Sequence, residues 1–85
     1  MNFKDSGYRP KVGERIWTYD TRYMIGDPCP LFWAKKTLVR ELDDRDDIGC
    51  FVGARWDFLY YDDAYETKED VETALSNKGY CVISN

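Results

Sequence analysis

Two prolines a single residue apart, in Gly26-Asp27-Pro28-Cys29-Pro30, constrain this chain more than any other feature. Each removes a backbone donor and fixes φ, so neither a helix nor an inner strand can run through 26–30. The chain must turn there, and the stretches on either side must be separate elements. Upstream, a turn at Gly13 leads into Arg15-Ile16-Trp17-Thr18-Tyr19-Asp20, a β-rich run that sends Ile16 and Thr18 to one face and Trp17 and Tyr19 to the other. Downstream, Leu31 to Leu42 reads as a long strand with Phe32, Ala34, Leu38 and Leu42 on one face. Its Lys, Leu, Arg and Glu would also suit a helix, but its Trp, Thr and Val and the turns at both ends favour a strand.

The rest of the chain continues the pattern. Asp43-Asp44-Arg45-Asp46-Asp47, closed by Gly49, is expected as a hairpin tip. Cys50 to Trp56 returns as a strand, with Gly53 a candidate bulge. Trp56, Phe58 and Tyr60 alternate with Asp57, Leu59 and Tyr61, a period-two signal for a fourth strand. Thr67 then caps a helix start, its hydroxyl placed to accept from the N–H of Asp70. Val71, Ala74 and Leu75 form the buried stripe of that helix, and Asn77 to Gly79 end it. Tyr80 to Ser84 is expected as the last strand.

Residues 1–10, with Gly7 and Pro10 among polar neighbours, read as a flexible N-terminal arm, and 11–85 as one domain. The expected fold is mainly β (α+β): a small five-stranded antiparallel sheet or barrel with one C-terminal α-helix before the last strand, the helix plugging one end. Eighty-five residues leave no room for a second domain, and surface scaling gives a folded chain of this mass about 5,200 Å² of surface. The 14 aromatics are the main core resource. Ile16, Phe32, Leu38, Val52, Trp56, Phe58 and Val71 are expected inside, with tyrosines around them. Fourteen rings exceed what one small core easily hides, so Tyr60, Tyr61, Tyr65 and Trp33 are alternatively contact anchors on the surface.

Several functions are disfavoured by composition. There is no His, hence no Ser-His-Asp or Cys-His nucleophile pair, no His-ligated zinc and no imidazole switch. Paired carboxylates of glycosidase type need a sugar-sized cleft that so small a barrel rarely spares. No enzyme and no cofactor are expected. Cys29, Cys50 and Cys81 are odd in number and lack a CxxC pair, so they read as packed thiols; one disulfide plus a spare thiol, or three metal ligands, are the other possibilities. In a calcium loop over Asp43–Asp47, Arg45 would take a ligand position and Ala54 the place of the distal Glu, which argues against one. No apolar run approaches the ~20 residues of a membrane span, and MNFKDSGYRPK is not a signal peptide, so a soluble cytoplasmic protein is expected.

The start Val12-Gly13-Glu14-Arg15-Ile16, the acidic hairpin, and the aromatic strand running into Thr67-Lys68-Glu69-Asp70 together resemble small SH3-like barrel proteins common in bacteriophages and other mobile elements. The likeness covers roughly 11–84. It implies a fold, a mobile-element origin and a host bacterial cytoplasm; the family has no common catalytic residues, and the proline-binding signature of SH3 domains is absent.

Charge is divided along the chain. Residues 1–40 carry a net +4, residues 41–72 a net −9 with twelve acids, and the whole chain −4. Like charges within about 10 Å repel even at moderate salt, so the crowding asks for a reason. Solubility is one. The other is a surface offered to a basic groove, since nucleic-acid enzymes line their channels with Lys and Arg to match phosphate. An acidic protein is a poor direct binder of nucleic acid or membrane, so a protein partner is expected. The specific expectation is a non-catalytic inhibitor of a host nucleic-acid-handling enzyme such as a CRISPR effector, of anti-CRISPR or anti-restriction type. It would mimic DNA through Asp43, Asp44, Asp46 and Asp47, extended by Asp62, Asp63 and Glu66, with Tyr60, Tyr61 and Tyr65 beside them. The alternative is an accessory barrel that recognises a peptide or phage protein through an aromatic face.

Overall fold

The twelve-residue strand β2 (Leu31–Leu42) is the spine of the molecule. In the computed structural model, which describes residues 1–23, 25–26 and 28–83, β1 (Arg15–Arg22) pairs with it antiparallel from Arg15↔Leu38 to Arg22↔Leu31. On its other edge β2 is shared. Its far end pairs antiparallel with β3 (Gly49–Val52), and its beginning pairs parallel with β5 (Cys81–Ile83). β3 in turn pairs antiparallel with β4 (Asp57–Tyr60), giving the path β1-β2-β3-β4 with β5 off β2. The protein is thus mainly β, a largely antiparallel sheet of five strands curled into a half-barrel. The expected all-antiparallel sheet is corrected by β5, which returns from a helix and can therefore run parallel to β2.

A bulge between Val39 and Glu41 starts the curl. It also changes which residues face inward. Phe32 and Ala34 face the helical side, whereas Val39 and Leu42, on either side of the bulge, both pack into the opposite core.

Helix α2 (Lys68–Asn77) begins at Thr67, whose Oγ1 accepts from the Asp70 N–H at 3.1 Å. It does not plug the barrel end. Val71 and Leu75, fully buried, lie against Phe32 and Tyr65 with Trp17, Tyr19 and Val82 around them, so the apolar stripe of the helix packs on the face of the sheet. The second core lies under the curl and holds Phe3, Ile16, Val39, Cys50, Val52, Tyr61 and Ala64.

Residues 1–10 are no loose arm. Phe3–Ser6 form one helical turn, α1, capped by Asn2 and ended by Gly7 at φ +77°, and Phe3 is 0% exposed. Its N–H donates to the Ala64 carbonyl at 2.9 Å. The aromatic strand also differs from expectation. Gly53–Trp56 make the turn, Trp56 stands in the left-handed region at φ +54°, and β4 starts only at Asp57. Leu59 faces the core opposite Cys50, so Trp56 and Phe58, expected inside, are exposed. Asp27 of the proline turn and Ser84 of the last strand lie outside the described residues.

The radius of gyration is 13.2 Å, against about 11.9 Å for a compact chain of this length. The surface, 5874 Å², likewise exceeds the value scaled from mass. Tyr23 and Ile25, between β1 and β2, are among the most exposed apolar residues.

Candidate protein-binding surface

The β3–β4 hairpin turns a row of rings outward. Phe51 stands opposite Phe58 in the ladder, and their centroids are 5.2 Å apart in an edge-to-face arrangement. Phe58 continues to Tyr60 at 5.0 Å, again edge to face. Such pairs contribute about 0.5–1.5 kcal/mol beyond burial, so the row is fixed before anything binds to it. Gly49 makes room for it. A Cβ there would lie 2.7 Å from the Phe58 ring and closer still to the Leu59 carbonyl, so only glycine lets the ring fold down. Tyr60 remains 53% exposed, Trp56 at the head of the hairpin 49%, and Ile48, at the opposite end near Tyr60, 47%.

The acidic turn adjoins this row. Asp43 is a structural residue: its Oδ1 accepts from the N–H groups of Arg45 and Asp46 and shapes the turn. Asp47, at φ +52°, ends the turn and faces Arg9. The Arg9 Nε lies 3.1 Å from both Asp47 carboxylate oxygens, its Nη1 donates to the carbonyls of Phe3 and Tyr8, and its guanidinium lies 4.4 Å from the Tyr61 ring centre. Asp44 and Asp46 are exposed on the outside of the turn.

The other expected site residues divide. Asp63 turns inward, with its Oδ1 accepting from the Tyr19 hydroxyl at 3.0 Å and its carbonyl from the Thr18 hydroxyl at 2.8 Å. Burial first, and then that Asp63 carboxylate, hold the Tyr19 phenol far above its ordinary pKa. Asp62 and Glu66 are exposed. Tyr61 and Tyr65 are 2% and 4% exposed and belong to the two cores, so neither is a surface anchor. Tyr65 also pairs by its backbone with Trp17, donating at 2.8 Å and accepting at 3.0 Å.

Asp47, Tyr60, Tyr61 and Asp62 meet in one groove of about 410 Å³, completed by Ile48, Lys4 and Arg9. The two cations were missed because residues 1–10 read as an arm. The signal was present: Asn2 three residues before Asp5 is a helix-start spacing, and Phe3 is the one large apolar residue inside that turn. The groove carries two cations and two acids and is formally neutral; Asp44 and Asp46 do not line it. Among the described residues no three His, Cys, Asp or Glu side chains converge as a metal site, and no helix is long and apolar enough to cross a membrane. Cys50 is fully buried, and burial pushes its thiol up to about 11.

No protein-family model, no curated protein and no solved structure matches the chain.

Proposed function

We propose that this protein works without catalysis, by docking the outer face of the β3–β4 hairpin and its acidic turn on a basic surface of another protein. The observation that carries this is the Phe51-Phe58-Tyr60 row, half-buried at Phe51 and exposed at Phe58 and Tyr60, with Asp44 and Asp46 exposed in the turn that leads into β3. Rings supply area at low entropic cost, and a charged rim sets which partner is admitted. A strained, half-exposed Trp56 at the head of the hairpin supports the same face, since strain of this kind collects at binding sites. The favoured partner is the nucleic-acid groove of a host enzyme, such as a CRISPR effector or a restriction enzyme, which the protein would block. An SH3-like, mobile-element origin is part of the proposal.

The acids that would imitate phosphate are fewer than the sequence suggests. Asp43, Asp47 and Asp63 are engaged within the fold, which leaves Asp44, Asp46, Asp62 and Glu66. The second reading, recognition through the aromatic face alone, is favoured by the pre-set geometry of the rings. Salt separates the two. Purified effector nucleases, assayed for DNA binding with increasing amounts of this protein, should lose DNA at low ionic strength and recover it at high salt. Asp44→Lys with Asp46→Lys should abolish the competition while the domain stays folded. Competition that survives both the reversal and high salt would leave the aromatic reading alone. No competition with any nucleic-acid enzyme would sink the decoy reading.

A further inference from the structure

Three strands change character at one level of the concave face of the half-barrel. Alternation puts Ile16 and Thr18 of β1 on that face, with Val39, Thr37 and Lys35 of β2 and Leu59 and Asp57 of β4. Ile16, Val39 and Leu59 belong to the core under the curl. The next residue along the same face of each strand is polar: Thr18, Thr37 and Asp57. A cleft of about 380 Å³ opens at this level between the β1–β2 hairpin and β4, bounded on one side by Gly53, Ala54 and Arg55. That volume lies in the ordinary range of small-molecule sites, about 300–1,000 Å³.

Two observations point to a ligand there. Thr18 and Thr37, 6% and 9% exposed, are the two buried polar side chains among the described residues. The Thr18 hydroxyl donates to the Asp63 carbonyl at 2.8 Å, whereas the Thr37 hydroxyl, facing Gly53, has no hydrogen-bond partner among the described residues. A buried hydroxyl left in this state calls for a partner. Charge is the second observation. Lys35, Arg55 and Asp57 all line the cleft, yet among the described residues neither Arg55 nor Asp57 joins an ion pair. Lys35 reaches only Asp20, at 3.7 Å with both side chains about half exposed, and Arg40 donates from Nε to the Gly53 carbonyl. A simple anion would meet Asp57 in this cleft, and a simple cation would meet Lys35 and Arg55. A ligand that carries both charges suits all three.

We propose that the cleft binds a free α-amino acid with an apolar side chain. Lys35, Arg55 and the Thr37 hydroxyl take its carboxylate, Asp57 takes its ammonium group, and Val52 and Leu59 receive the side chain. The site lies on the face of the β3–β4 hairpin opposite the aromatic row and does not depend on the docking reading.

The probe is L-leucine, titrated into isotope-labelled protein and followed by amide shifts. Saturable shifts are expected, largest at Thr18, Thr37 and residues 53–57. Isocaproate, which is leucine without its amine, and leucinamide, which lacks the carboxylate, should each bind about tenfold more weakly, the usual weight of one charged contact. Asp57→Asn should weaken leucine about tenfold and leave isocaproate unchanged, whereas Arg55→Gln should weaken leucine and leave leucinamide unchanged. Both side chains are exposed, so both variants keep the fold. Thr37→Val, which keeps the branched shape and removes the hydroxyl, should also weaken leucine. No saturation at tens of millimolar leucine would mean that the cleft holds water only, and the proposal falls. Equal binding of leucine and either analogue would overturn the zwitterion, and shifts confined to another face would overturn the site.

Discussion

Arg9 and Asp47 sit 38 residues apart in sequence, and the Arg9 Nε is 3.1 Å from each Asp47 carboxylate oxygen. The pair joins the first ten residues to the acidic turn and sets a cation among the carboxylates. Both side chains are more than a third exposed, so the ion pair itself contributes about 0–1 kcal/mol. Stacking on Tyr61 adds about 0.5–1 kcal/mol. Arg9→Gln should therefore cost roughly 1–2 kcal/mol, and a double-mutant cycle with Asp47→Asn should return a coupling below about 1 kcal/mol in urea unfolding.

Phe3 is the firmer anchor of that segment. Phe3→Ala empties a fully buried site and should cost about 3–5 kcal/mol. An 85-residue domain has roughly 4–13 kcal/mol in all, so this variant should lose a large share of its stability, read as a fall in melting temperature by circular dichroism. A native-like melting curve would mean that residues 1–10 are dispensable.

Gly49→Ala tests the seating of the aromatic row. The added methyl meets the Phe58 ring and the Leu59 carbonyl, so overpacking of about 1–3 kcal/mol is expected. Pairing it with Phe58→Ala should recover only part of this, because the Leu59 backbone cannot move aside as a ring can.

Trp56→Gly should separate stability from binding. Glycine accepts φ +54° without the strain of about 1–2 kcal/mol that an L side chain carries there. The melting temperature should hold or rise by a few degrees, while partner capture weakens if the exposed indole is a contact. Unchanged capture would remove Trp56 from the surface.

Alkali should unfold the protein through its buried acids. Cys50 titrates at about 11 in the fold against 9.0 for a free thiol, and burial raises Tyr19, Tyr61 and Tyr65 as well. Folded pKa values above the unfolded ones mean that the unfolded chain loses protons first. Stability is then full below pH 9 and falls from pH 9 toward 11. Cys50→Ala should flatten the first part of that fall, as read from urea midpoints at pH 8, 9 and 10.

The parts of the fold that local chemistry governs were legible in the sequence. β2 begins directly after Pro30, and Thr67 started the helix where its hydroxyl could cap it. The acidic turn between β2 and β3 followed from its Asp-rich composition. What failed depended on tertiary choice. Alternation at 56–60 gave two faces, both with apolar residues, and only the pairing of Leu59 with Cys50 decides which is inside. Tyr61 and Tyr65 looked like anchors because tyrosine suits both core and surface. Of the acids, composition gave the number but not the engagement: Asp43 bonds N–H groups within its own turn, a local signal, whereas Asp47 and Asp63 have partners 38 and 44 residues away that lie beyond the reach of pattern.

Ile16 belongs to one apolar cluster and its neighbour Trp17 packs against the other, so β1 has no solvent side over this stretch. Both clusters lean on the same two strands, β1 and β2. Neither can melt while the other persists, since loss of either face frees the backbone that organises its opposite. Despite two cores, the chain should unfold as one cooperative unit, and damage on the helical side should be felt at the aromatic hairpin.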